Sequence, residues 1–120
     1  MTRFASAVVV DARGRVLLQE RDEHPAIDPN KWGFCGGHLE PGALEPVGDF
    51  TVFHAHSQTL DAFRLYAARL DITDDDVECH EGRRIVFVDP DDAQRLDLTA
   101  AARIALPVFL DSDVYRRLAP

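Results

Sequence analysis

The run Lys31–Gly42, K-W-G-F-C-G-G-H-L-E-P-G, constrains this chain more than any other stretch. Trp32 to His38 is short, apolar and glycine-rich, and Pro41-Gly42 closes the run with turn chemistry. The segments before it read as a hairpin. Phe4–Asp11 is rich in small and β-branched residues, and Val8-Val9-Val10 suits a buried strand. Arg13-Gly14 supplies a turn, with a positive φ expected at Gly14, and Val16–Glu20 is the returning strand. Residues 21–31 hold Pro25, Pro29 and Asn30 and read as a loop.

Beyond the glycine run, Leu44–Ser57 alternates as a strand should. Phe50, Val52 and His54 share one face, and Thr51, Phe53 and Ala55 share the other. Leu60–Leu70 is ambiguous. Leu60, Phe63, Ala67 and Leu70 form a helical stripe, whereas Phe63, Leu65 and Ala67 share one face of a strand, and periodicity alone slightly favours the helix. Asp74-Asp75-Asp76 is a solvated acidic turn, and Arg84–Asp89 is a strand by β-branching. Pro90 opens a short helix through Leu96, with Asp89 as its cap. Thr99–Leu110 is the best helix of the chain, capped by Thr99 and carrying an apolar stripe that includes Ile104 and Val108. Pro107 is expected to bend or shorten it. Ser112–Leu118 adds a last turn or helix. With no repeat, low-complexity tract or long linker, residues 1–120 are expected to form one domain.

Composition narrows the function class. The net charge of −8 argues against sequence-independent binding to nucleic acid or to an anionic membrane, both of which need basic patches. A small anionic ligand stays open, because a local arginine or a bound metal can offset the global sign. Cys35 and Cys79 make no disulfide framework and no C-x-x-C motif, so a reduced, cytoplasmic setting is expected. The first residues carry no long apolar run and are expected to be neither leader nor membrane span.

The glycine run resembles the entry to a Nudix box, G-x5-E-x7-R-E-U-x-E-E-x-G-U, in which U is a bulky aliphatic residue. Residues 81–99, E-G-R-R-I-V-F-V-D-P-D-D-A-Q-R-L-D-L-T, resemble the closing strand and helix of the same family. Counted from Gly37, the box carboxylate positions fall on Ala43, Val52, Ala55 and His56, and the box arginine on Thr51. One alignment restores a box helix at residues 62–70 with Arg64 as the box arginine. It needs an insertion of 13 residues and still leaves Leu65, Ala68 and Arg69 where carboxylates belong. The other drops the helix in a single deletion of roughly 20 to 25 residues, consistent with a short length for one domain. The deletion explains more of the chain and turns residues 61–70 into a strand. The resemblance then implies an α/β fold, a Nudix-like mixed β-sheet of five or six strands with C-terminal helices and the catalytic box helix missing.

Nudix enzymes cleave a diphosphate linked to another group, usually with Mg²⁺ or Mn²⁺ held by box carboxylates on one helix face. Their absence implies lost or strongly weakened hydrolysis, with the pocket kept for ligand binding or for other chemistry. What the resemblance leaves for a weakened Mg²⁺ or Mn²⁺ site is Glu40, the Gly37 carbonyl and Glu81, with Glu81 and Glu40 as the catalytic candidates. Trp32, Gly36, Gly37, His38 and Arg84 are the ligand-binding candidates. Independently, His54-x-His56 puts two imidazoles on one strand face, a way to grip zinc or iron, with His38 or Glu40 as further ligands. Each has a plainer reading: Glu40 braces its loop, Glu81 is solvated, Trp32 anchors the core and Cys35 is a buried, inert thiol. Arg83, Arg84 and Arg103 hold a phosphate or pair with the chain's many acids. Loss of a covering helix exposes an apolar sheet face, so a homodimer is expected.

Overall fold

The structure is a computed structural model that describes residues 3–25, 28–35, 44–55, 57–77 and 82–119. Six strands form one mixed sheet: β1 (Arg3–Val10), β2 (Val16–Glu20), β3 (Trp32–Phe34), β4 (Glu45–His54), β5 (Thr59–Arg69) and β6 (Arg84–Val88). Three helices follow, α1 (Pro90–Arg95), α2 (Ala100–Leu110) and α3 (Asp113–Leu118).

The ambiguous segment is a strand because both of its edges find partners. β5 pairs in parallel with β1 from Arg3↔Ala62 to Val10↔Arg69, and antiparallel with β4 from Glu45↔Ala67 to His54↔Thr59. That double ladder satisfies the backbone on both sides, which outweighs the slight helical stripe. The β4–β5 turn runs through Gln58 in the left-handed region, at a φ of 52°. β1 and β2 meet at Val10↔Val16 around Gly14, whose φ is 76° as expected. A side chain at Gly14 would also place a Cβ 2.9 Å from the Tyr115 hydroxyl. Asp11 shapes this turn: its Oδ1 accepts the N–H groups of Arg13 and Arg15, each at 2.9 Å, and its Oδ2 accepts Arg15 Nε at 2.7 Å.

One sheet face packs on the C-terminal helices. Val8, Val10, Leu18, Val52, Phe63, Leu65 and Ala67 meet Ala102, Ala105, Leu106 and Phe109 of α2. The expected stripe on α2 is therefore out of phase: Ile104 and Val108 point to solvent. Alanines at 102 and 105 let the helix lie close to the strands, and Leu106 and Phe109 fill the remaining depth. Thr99 caps α2 by accepting the Ala102 N–H at 3.3 Å. Pro107 does not end it, since the helix runs on to Leu110. Asp89 occupies the cap position of α1 without a side-chain bond, and its carbonyl accepts Ala93 N–H at 2.8 Å. α3 is tied back to the first turn by Tyr115, whose hydroxyl donates to the Gly14 carbonyl at 2.7 Å.

Among the described residues, the opposite face is covered at one end. Val9, Leu17 and Phe87 pack under Leu70, Ile72 and Val77. The acidic turn is more than a solvated loop, because Asp74 Oδ1 accepts the Phe87 N–H at 2.8 Å and pins β6. At the other end, Phe53 and its cross-strand partner Leu60 stand 57% and 49% exposed. No helix among the described residues is long and apolar enough to cross a membrane.

Candidate functional site

The sheet forks at β2. One edge of β2 is taken by β6 along its whole length, from Val16↔Val88 to Glu20↔Arg84. The other edge is divided: Val16 pairs with Val10 of β1, and Leu18–Glu20 pair with β3. β1 and β3 must therefore diverge, and a cavity of about 540 Å³ occupies the opening. Phe4 and Ser6 of β1 form one wall, and Gly33 and Phe34 of β3 form another. The start of α2 closes a third side with Thr99 and Ala101. Two bonds hold that helix end in place: Asp28 Oδ2 accepts Ala100 N–H at 2.8 Å, and the Thr99 N–H donates to the Trp32 carbonyl at 2.8 Å. Gly33 permits the approach, because a Cβ there would lie 3.1 Å from the Thr99 methyl group.

The β4–β5 hairpin supplies the most polar wall. His54 and Asp61, 9% and 6% exposed, meet through Nδ1 and Oδ2 at 2.5 Å. Their pairing follows from register. His54 lies opposite Thr59, so the inward-facing residue two further along β5 is its diagonal neighbour. Thr59 Oγ1 donates to the same Asp61 oxygen at 3.3 Å, and Ser57 Oγ lies 2.7 Å from Thr59 Oγ1. His54 Nε2 has no hydrogen bond to any described residue. The Phe4 ring stands 6.2 Å from the imidazole, centroid to centroid.

Arg21 and Gln19, at the end of β2, line this cavity and also an adjoining one of about 670 Å³ bounded by Asp22, His24, Pro25 and Gly82. Arg21 is half-buried, and its guanidinium makes no ion pair or hydrogen bond among the described residues. The arginines that the sequence offered for a phosphate are engaged. Arg83 binds Asn30 Oδ1 at 2.7 Å and Glu23 at 3.4 Å; Arg84 pairs with Glu20 at 3.1 Å; Arg103 pairs with Asp97 at 3.5 Å.

This architecture has counterparts among solved structures. The NUDIX domain of Shewanella oneidensis NrtR, complexed with ADP ribose, matches 92% of this chain and 88% of its own at 13% identity, with a TM-score of 0.67. The E. coli ORF135 protein matches 92% of this chain and 91% of its own at 19% identity, with a TM-score of 0.62. A bifunctional NMN adenylyltransferase/ADP ribose pyrophosphatase from Francisella tularensis matches 93% of this chain at 9% identity and a TM-score of 0.60, over 41% of its own length. The chain has the Nudix fold. No family model and no curated protein matches the sequence.

Within the Nudix fold, the sequence candidates fall into two groups. Gly36, Gly37, His38, Glu40, His56, His80 and Glu81 lie outside the described residues. Of the rest, only His54 reaches the cavity. Trp32 is 8% exposed and belongs to the core, with the Arg84 guanidinium 5.1 Å above its ring. Cys35 is half-buried against the second apolar cluster, in keeping with a packing role. Asp61 and Arg21 escaped the sequence reading. An aspartate in the inward phase of β5 was the available signal for Asp61. The acidic neighbours Asp22 and Glu23 masked Arg21.

Mg²⁺ or Mn²⁺, the ions usual for this fold, find no set of ligands among the described cavity residues. Asp28 is spent on the start of α2 and Asp61 on His54. Asp22, Glu23 and His24 do bring ligand atoms within 4.8 Å of one another, but in an exposed loop beside the second cavity. The described cavity residues therefore do not fit either ion.

Proposed function

We propose that this Nudix-fold protein is a binding module for a small phosphorylated molecule, with diphosphate hydrolysis lost or strongly weakened. The observation that carries this reading is Arg21. A half-buried arginine whose guanidinium has no anionic partner among the described residues, lining two adjoining cavities, matches a phosphoryl group that offers acceptors. The 540 Å³ compartment is of the size that takes a drug-sized ligand, and Phe4 and Phe34 give it apolar surface for a ring or sugar. A nucleoside-diphosphate-linked compound combines both parts, and ADP ribose, bound by the Shewanella domain, is the first to try. A cytoplasmic location, with neither nucleic acid nor membrane as partner, belongs to the same reading.

The test is calorimetric titration with ADP ribose and ADP, beside a hydrolysis screen in Mg²⁺ and Mn²⁺. Binding that weakens about tenfold or more in Arg21→Ala, without turnover, is the expected result. Turnover that vanishes in Glu81→Gln would instead establish a hydrolase using Glu40 and Glu81. A third reading, a His-based metalloenzyme, draws on one observation: imidazoles that bind metal commonly give their other N–H to a carboxylate, as His54 does to Asp61. Tight transition-metal binding that disappears in His54→Ala would favour it.

The exposed Phe53–Leu60 pair leads us to include a homodimer in the proposal, with these outer faces opposed.

A further inference from the structure

The His54–Asp61 pair presents a chemical group that no other described residue uses. A carboxylate only accepts hydrogen bonds, so in the neutral imidazole the proton sits on Nδ1 and Nε2 carries a lone pair. Asp61 is held from behind, since its bonded oxygen also accepts Thr59 Oγ1 at 3.3 Å and Thr59 leans on Ser57 at 2.7 Å. The ring is thus fixed in orientation and in tautomer. Nε2, on the side of the ring away from Asp61, has no hydrogen bond to any described residue, and His54 lines the cavity beside Phe4. An acceptor on a partly apolar wall is costly to leave dry, so it rewards a ligand that brings a donor.

The geometry points to His54 as the acceptor for a hydroxyl of the bound molecule, with Asp61 as the positioning residue that sets the tautomer. The ligand class that follows is a nucleoside diphosphate whose sugar hydroxyl meets Nε2 while its phosphates meet Arg21. This rests on the phosphate reading above and adds the part of the ligand that is read for identity. Arg21 supplies attraction without discriminating among phosphorylated molecules. A fixed, single-proton acceptor discriminates, because an analogue without the hydroxyl leaves the lone pair unmatched.

The full-length chain would be titrated with ADP and with 2′,3′-dideoxy-ADP. The expected result is about tenfold tighter binding of ADP, the difference falling to about one in His54→Phe with little change in affinity for the dideoxy compound. Asp61→Asn, which lets the other tautomer form, shrinks the same ratio in a folded protein, a change that a merely structural role for Asp61 would not produce. Nitrogen NMR of the histidine-labelled chain gives a readout that needs no ligand: an Nδ1–H tautomer at His54 is expected, and an Nε2–H tautomer overturns the inference. Equal binding of the two nucleotides by the wild type overturns it alone and leaves the phosphate reading standing if Arg21→Ala weakens both. Binding of neither overturns both readings. Tight Zn²⁺ binding lost in His54→Phe also overturns it, since the lone pair would then belong to the metal.

Discussion

The inward face of β5 has two ends that share strands, face and helix layer and yet do different things. At one end Leu65 and Ala67 are sealed beneath α2, against Ala105, Leu106 and Phe109. At the other, Asp61 and Thr59 border an open cavity, and Asp61 accepts from Thr59 and is bonded to His54. The difference comes from where the covering helix starts. α2 begins at Ala100, anchored by Asp28 and the Trp32 carbonyl; its first turn borders the cavity at Ala101, and Ala105, Leu106 and Phe109 lie in the core. The sealed end supplies stability, and the open end keeps polar groups that a core would exclude.

The largest expected effect lies at the sealed end. Phe109→Ala removes a fully buried ring that also packs edge-on against Tyr115 at 5.3 Å, and should cost about 3–5 kcal/mol by urea denaturation. A loss below about 1 kcal/mol would show that this end is not the core.

The Asp11 turn should rank next. Burial pushes the Asp11 carboxyl up, but the N–H groups of Arg15 and Arg13 and the Arg15 guanidinium outweigh it and hold its pKa below the usual carboxylate range. A depressed folded-state pKa means stability that is complete above the unfolded value of about 3.9 and is lost as pH falls through the folded value. Asp11→Ala should therefore lose about 1–3 kcal/mol at neutral pH and show a flatter decline in acid. Urea midpoints measured from neutral pH into the acid range check both parts. An unchanged acid slope would remove Asp11 from the account.

The open end sharpens the contrast. Asp61→Leu strands the His54 N–H and should cost about 1–3 kcal/mol, while the double substitution Asp61→Leu with His54→Phe should recover most of that. Recovery of stability in a double variant that no longer distinguishes ADP from its dideoxy analogue would mean the pair is kept for recognition. A double variant as unstable as the single one would make it structural. Smallest in stability, within about 0.5 kcal/mol, is Phe53→Ser on the outer face. Its effect should appear in assembly, as a dimer in light scattering that becomes monomeric. A wild type that stays monodisperse and monomeric across micromolar concentrations would sink the dimer.

Much of this fold was legible in the chain. The Gly14 turn, the strand at Arg84–Val88, the Thr99 cap and the alternation of Phe50, Val52 and His54 are local, and local sterics and hydrogen bonding wrote them directly into sequence. The α2 stripe was misplaced because Ile104 and Val108 advertise burial by hydrophobicity alone, whereas small alanines made the contact face. The site was less legible. Of the candidates on described residues, His54 lines the cavity, Trp32 is core, and Arg84 is drawn to Glu20 and the Trp32 ring.

By itself the sequence determined the order of elements, their turns and caps, and the departure from the box pattern, since each depends on neighbours a few positions away. Tertiary structure alone decided that residues 59–69 are a strand, because that choice needed β1 and β4 on its two edges. It alone placed His54 against Asp61 and left Arg21 without an anionic partner among the described residues. Both outcomes depend on strand register and on the divided edge of β2, which no local pattern encodes.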